Sequence, residues 1–172
     1  PPLAAVLGQG VELITLADNR WKRPDIKSIS LLPNVLAKQR ARESGAHEAW
    51  FVDEHGFITE GTSTNAWMVT HASEVLTRPL GHAILAGITR RVLLEAARGN
   101  SITVLERAFT VVEAKGGAEA FLTSTTSFLL PVIAIDGTPI GDGKPGPVTV
   151  KLIAHYRNHM DRGQSTGGGR RR

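Results

Sequence analysis

The chain has 172 residues, 41% of them hydrophobic and 21% charged, which suffices for one globular core and excludes a globally disordered chain. Cysteine is absent, which excludes disulfide scaffolds, thiolate metal sites and cysteine nucleophiles. The net charge of +4 rests largely on Arg170 to Arg172; without them it is +1, so charge gives little support to a nucleic-acid partner. In chain order, Val11 to Leu16 (VELITL) reads as a short apolar strand. Leu31 to Ser44 reads as a helix with Leu32, Val35 and Leu36 on one face, stopped by Gly45. Ala49 to Val52 is a strand, Asp53 to Gly56 a polar turn, and Phe57 to Thr59 a third strand. Asn65 to Thr70 and Val75 to Thr77 follow as strands around the turn His71 to Glu74. A helix is expected from about Thr89 to Arg98, with Gly99 behind it. Ile102 to Glu106 and Ala120 to Thr123 read as strands, and Val132 to Ile140 as a hairpin around Asp136-Gly137. The last helix runs from about Val148 to Asp161. Gly163 to Arg172 (GQSTGGGRRR) carries no apolar anchor and reads as a flexible tail behind one domain spanning 1–162.

The expected fold class is α/β, with a mixed, partly antiparallel sheet flanked by helices, because turn-linked strands favour antiparallel pairs. No apolar run approaches the roughly 20 residues that span a bilayer, and no signal peptide is visible, so neither a membrane nor a secretory route is expected. The cytoplasm is the expected location.

Four segments could carry chemistry. Lys27 is either an exposed lysine of a basic loop or an amine between apolar Ile26 and Ile29. In the second case Arg20, Lys22 and Arg23 would lower its pKa, and a neutral amine forms Schiff bases. Glu60-Gly61-Thr62-Ser63-Thr64-Asn65 is either a polar turn or a carboxylate aimed into a site. Leu85-Ala86-Gly87-Ile88-Thr89-Arg90 opens a helix, which is either an ordinary cap or an anion site built from free N–H groups. Thr123 to Thr126 are either β-branched strand residues or hydroxyls within reach of a phosphate. His155 and His159 have the spacing of a two-histidine ligand pair, but no third ligand is apparent, and no metal is expected. The loop Gly141 to Pro147 is broken by prolines and reads as the approach to the last helix.

Together these segments resemble the fold-type IV aminotransferases that use pyridoxal 5'-phosphate, above all the D-amino-acid aminotransferases. The stretches are RWKRPDIKSISLLPNVLAKQRARESGAHEA, ITEGTSTNA, ILAGITR, FLTSTTS and IGDGKPGPVT, in the family's order from about Val11 to Ile153. The resemblance implies the large, pseudo-barrel domain of that fold. It makes Lys27 the lysine that forms the aldimine with the cofactor and shuttles the proton. It makes Glu60 the carboxylate that pairs with the protonated pyridine nitrogen, with Ser63 as its neighbour. Leu85 would pack on the ring, Gly87 would let the backbone approach, and Ile88, Thr89 and Thr125 would bind the phosphate. The implied reaction moves an amino group between an amino acid, D-configured by this resemblance, and a 2-oxo acid, in a homodimer. A smaller N-terminal domain, which in the family supplies a phosphate arginine and the substrate-carboxylate residues, has no counterpart in Pro1 to Gly10. Two rival readings follow. One is a branched-chain aminotransferase or aminodeoxychorismate lyase on the same fold; the other is a fragment unable to turn over. A nucleic-acid binder using the terminal arginines is a poor third.

Overall fold

A computed structural model describes residues 8–165. The strands are β1 (Val11–Ala17), β2 (Glu48–Val52), β3 (Ile58–Gly61), β4 (Asn65–Val69), β5 (Val75–Thr77), β6 (Val104–Glu106), β7 (Glu119–Ser124), β8 (Phe128–Ile135) and β9 (Thr138–Pro139). The helices are α1 (Leu32–Glu43), α2 (Ile88–Arg98), α3 (Val111–Lys115) and α4 (Pro147–Ser165). The strands form one sheet in the order β3-β2-β1-β8-β7-β4-β5-β6, with β9 on β8. β1 is parallel to both β2 and β8, and β5 is parallel to β6, while the remaining ladders are antiparallel. Glu60 of β3 pairs with Asn65 of β4, which closes six strands into a barrel. The mixed α/β barrel is the expected fold class.

Alternation along the strands sorts the apolar side chains between two sides of the wall. Leu13, Trp50, Ala66, Met68 and Leu122 point to one cluster with Ile58, Phe109 and Ile135. Their sequence neighbours Trp67, Val69 and Phe121 point the other way, onto Leu93, Leu94 and Ala97 of α2 and Leu152 and Tyr156 of α4. Ile14, Phe51 and Ala49 lie under Ala37 and Ala41 of α1. Burial on both faces explains why these strands read as near-continuous apolar runs.

Four local features differ from the sequence reading. α1 docks through its alanines, so Leu32, Val35 and Leu36 face outward, each more than half exposed. α3 was not expected, although its Thr-x-x-Glu signature is present: the Thr110 hydroxyl accepts from Glu113 N at 3.1 Å, and the Glu113 carboxylate accepts from Thr110 N at 2.8 Å. β8 starts at Phe128, well before the expected Val132, and runs through Pro131. Its ladder with β1 begins at Val132, so the missing proline N–H leaves no gap on that side. α4 continues through Ser165, into the first residues of the expected tail; residues 166–172 lie outside the described ones. Its N-terminus is closed by the buried Glu119 carboxylate, which accepts from Val148 N at 2.8 Å and Thr149 N at 2.7 Å. Among the described residues no helix is long and apolar enough to cross a membrane.

Candidate active site

The site lies where β3 closes onto β4, with the end of β1 on one side and the start of α2 on the other. Glu60 is the penultimate residue of β3 and is buried. The turn behind it is tight. A Cβ at Gly61 would overlap the Thr64 hydroxyl, so any larger residue there requires that side chain to move. Glu48, almost fully buried on β2, holds that turn from below by accepting from the Thr62 hydroxyl at 2.5 Å and from Thr62 N at 3.3 Å.

Three donors fix the Glu60 carboxylate. Oε1 accepts from Arg20 Nη1 at 2.5 Å; Oε2 accepts from Leu85 N at 2.9 Å and Asn65 Nδ2 at 3.2 Å. Asn65 Nδ2 also donates to Leu85 O at 3.0 Å, tying the strand closure to the segment before α2. Arg20 is itself held in a fork: Nε donates to Asp18 Oδ1 at 2.9 Å and Nη2 to Asp18 Oδ2 at 2.7 Å. Its remaining contacts are the Thr59 hydroxyl and Ala83 O, and its guanidinium lies 4.6 Å above the Phe51 ring centre.

Burial pushes the Glu60 carboxyl up to about 7, against the Arg20 charge and the Leu85 N–H, both of which favour the anion. Burial acts on Asp18 in the same sense, but the Arg20 bonds and charge and the Thr59 hydroxyl win and hold it below the usual carboxylate range. Arg20 is raised: burial opposes its charge, and the Asp18 bond with the Glu60 and Asp18 charges outweighs that. The raised Glu60 value makes a stability prediction. Between its ordinary 4.5 and about 7 the folded state keeps a proton that the unfolded chain releases. Stability from this group is therefore fully present below pH 4.5 and is lost as pH rises through 7. Urea unfolding of wild type and Glu60→Gln across that window should show wild type losing on the order of 2–3 kcal/mol relative to the variant. A constant difference would contradict the raised value.

α2 opens without a side-chain cap and without an acidic residue in its first turn; Gly87 is its N-cap. Its first N–H groups therefore present the positive end of the helix dipole with no competing carboxylate. Thr89 is buried and Ile88 half exposed. Thr125 is exposed on the turn between β7 and β8, while Thr123 is buried and its hydroxyl accepts from Trp67 Nε1.

The structure thus brings Glu60, Leu85 and Gly87 together. It does not place Ser63 there: Ser63 is exposed at the turn tip, and Asn65 holds Glu60 instead. Lys27 sits in the loop between β1 and α1 and is exposed, as are Ile26 and Ile29, so the expected desolvation is absent. Two of the three expected cations are turned away: Arg20 serves Glu60, and Arg23 pairs with Asp25 at 2.9 Å. Sequence reasoning missed Asp18 and Asn65 and assigned Arg20 to the wrong acid-base group. The Asp-x-Arg spacing at the end of β1 was the available signal. Among the described residues no three potential metal ligands gather, and His155 and His159 lie along α4.

The Amino-transferase class IV profile matches residues 7–135, which carry β1 through β8 and the Glu60 cluster. The chain belongs to the class IV aminotransferase family. Its relatives include the D-alanine aminotransferase of Bacillus licheniformis, 45% identical over 151 residues, which cover 88% of this chain and 53% of the relative. The D-alanine aminotransferase of Staphylococcus aureus (strain N315) is 40% identical over 156 residues, covering 90% of this chain and 54% of the relative. Among solved class IV folds, the branched-chain amino acid aminotransferase of Escherichia coli superposes with a TM-score of 0.79 at 27% identity, over 89% of this chain and 53% of that one. The Thermobaculum terrenum branched-chain enzyme in its PLP form gives 0.80 at 26% identity, over 92% and 52%. This class IV chain therefore spans about half the length of the relatives it matches.

Proposed function

We propose that this chain is the pyridoxal-phosphate-binding half of a transaminase acting on D-amino acids and 2-oxo acids. The observation that carries the proposal is the Glu60 carboxylate, held by three donors beside an uncapped helix start. A buried carboxylate with about four acceptor positions and three donors has one left for a ring N–H. The α2 N-terminus offers Ile88 and Thr89 N–H groups to a phosphate, with the Thr125 hydroxyl as a further ligand. Leu85 lies between these two ends and would cover the ring face. Bound there, the cofactor supplies an electron sink for the bond-breaking at the amino acid Cα. Lys27 supplies the amine that anchors the aldehyde, and when neutral it moves a proton to and from Cα. Glu60, as an anion, keeps the ring nitrogen protonated.

The D-alanine relatives support the D-amino-acid choice, and the branched-chain structural neighbours support a second reading, a branched-chain transaminase on the same site. A homodimer is part of the proposal; the outward apolar face of Leu32, Val35 and Leu36 suits a second copy. A cytoplasmic location goes with it. The test is a substrate assay on the longest natural protein containing this chain, with 2-oxoglutarate as acceptor. Turnover of D-alanine and not of L-leucine is expected. Turnover of L-leucine without D-alanine would move the assignment to the branched-chain reading.

A further inference from the structure

The hydrogen bonding around Glu60 singles out Arg20. Glu60 Oε2 is occupied by Leu85 N and Asn65 Nδ2, both neutral donors. The acceptor position left open is therefore on Oε1, the oxygen bound to Arg20 Nη1. Arg20 is the cation in contact with this carboxylate, and its plane is set from behind. Asp18 takes two of its N–H groups, and the Thr59 hydroxyl both accepts from Arg20 Nη2 at 3.2 Å and donates to Asp18 Oδ2 at 2.8 Å. The charged groups facing Glu60 are Arg20 and, behind it, Asp18. β4 and the segment before α2 present only Asn65 and the Leu85 N–H.

We propose that Arg20 is a positioning residue for the cofactor: pinned by Asp18 and Thr59, its guanidinium favours the Glu60 anion and leaves one Oε1 acceptor position free for the ring nitrogen. This rests on the reading that Glu60 receives that nitrogen. The physical need is clear from the balance at Glu60. Burial alone favours the protonated acid, which can still accept a hydrogen bond but carries no charge to keep a ring nitrogen protonated. Even with Arg20 in place the carboxyl sits near neutrality, at about 7. Removing the guanidinium takes away the charge that favours the anion, so the acid form should gain at neutral pH. The bidentate geometry to Asp18 also explains why lysine is not equivalent: an ammonium supplies the charge but no fork.

The test separates the two layers. In the 172-residue chain without cofactor, carbon-13 NMR of labelled glutamate follows the Glu60 carboxyl, assigned by its disappearance in Glu60→Gln. The midpoint should rise by about one pH unit or more in Arg20→Gln and by less in Arg20→Lys. Equilibrium titration with pyridoxal phosphate should then show binding about tenfold weaker in Arg20→Gln at pH 7, with the visible band displaced, and partial recovery in Arg20→Lys. If Arg20→Gln does not fold, Arg20→Lys carries the same test with the smaller shift. An unchanged Glu60 midpoint in the folded variant overturns the role of Arg20. A shifted midpoint, with Glu60→Gln binding the cofactor as wild type does and with the same band, overturns instead the assignment of Glu60 to the ring nitrogen.

Discussion

Replacing Lys27 by alanine should lower transamination by a protein containing this chain by more than about a thousandfold, because the proposed function makes one amine both anchor and proton carrier. The fold should not notice. Lys27 is exposed on a loop between β1 and α1, and truncating an exposed side chain changes stability by about 0.5 kcal/mol or less. That separation of activity from stability makes the variant informative. Lys27→Arg sharpens it. Arginine keeps the positive charge, but a guanidinium stays protonated in proteins and cannot act as the nucleophile or take up the proton. Both variants should therefore fail alike, with Tm unchanged, when initial rates and thermal melts are measured together. Recovery of activity by Lys27→Arg would show that only a surface charge was lost.

Gly87→Ala should disturb both stability and cofactor affinity, through sterics rather than backbone strain. Gly87 has φ −63° and ψ 136°, which any residue adopts. The obstacle is Asn65: a Cβ at Gly87 would overlap its Oδ1. Asn65 is buried and uses its amide to hold both Glu60 Oε2 and Leu85 O, so moving it breaks two hydrogen bonds in the site. Overpacking together with two broken bonds should cost about 2–4 kcal/mol in urea unfolding. The effect should depend on its cause. In an Asn65→Ala background the same Gly87→Ala change should cost only a fraction of that, because the clash is gone. Equal costs in both backgrounds would place the strain elsewhere.

Much of this fold is visible in the chain. The period-two alternation that sends Trp67 and Phe121 outward and Met68 and Leu122 inward follows directly from strand geometry. What closes the barrel is harder to read. The Glu60–Asn65 pairing joins two strands across a turn whose residues look only like loop formers, and glycine at 61 is favoured by packing against Thr64, not by φ. α1 shows a second limit. Its leucines and valine mark an apolar face, but alanines do the docking because small residues let the helix lie close to β1 and β2. In the site, Glu60 and Gly87 could be singled out because each sits in a distinctive local pattern. Arg20 could not be assigned correctly from its neighbours. It lies close to Lys27 in sequence, yet its side chain turns back to a strand 40 residues away. Long-range pairing of that kind carries no local periodicity for a sequence reader to use.

In the proposed function the amine at Lys27 and the acid at Glu60 serve one pyridoxal phosphate. Borohydride reduction of the chain equilibrated with pyridoxal phosphate, followed by digestion and peptide mass spectrometry, tests it most directly. The phosphopyridoxyl group should appear on the peptide carrying Lys27, with the label lost in Lys27→Ala and its uptake weakened in Glu60→Gln. A label spread over Lys22, Lys38, Lys144 and Lys151, identical in wild type and both variants, would contradict it.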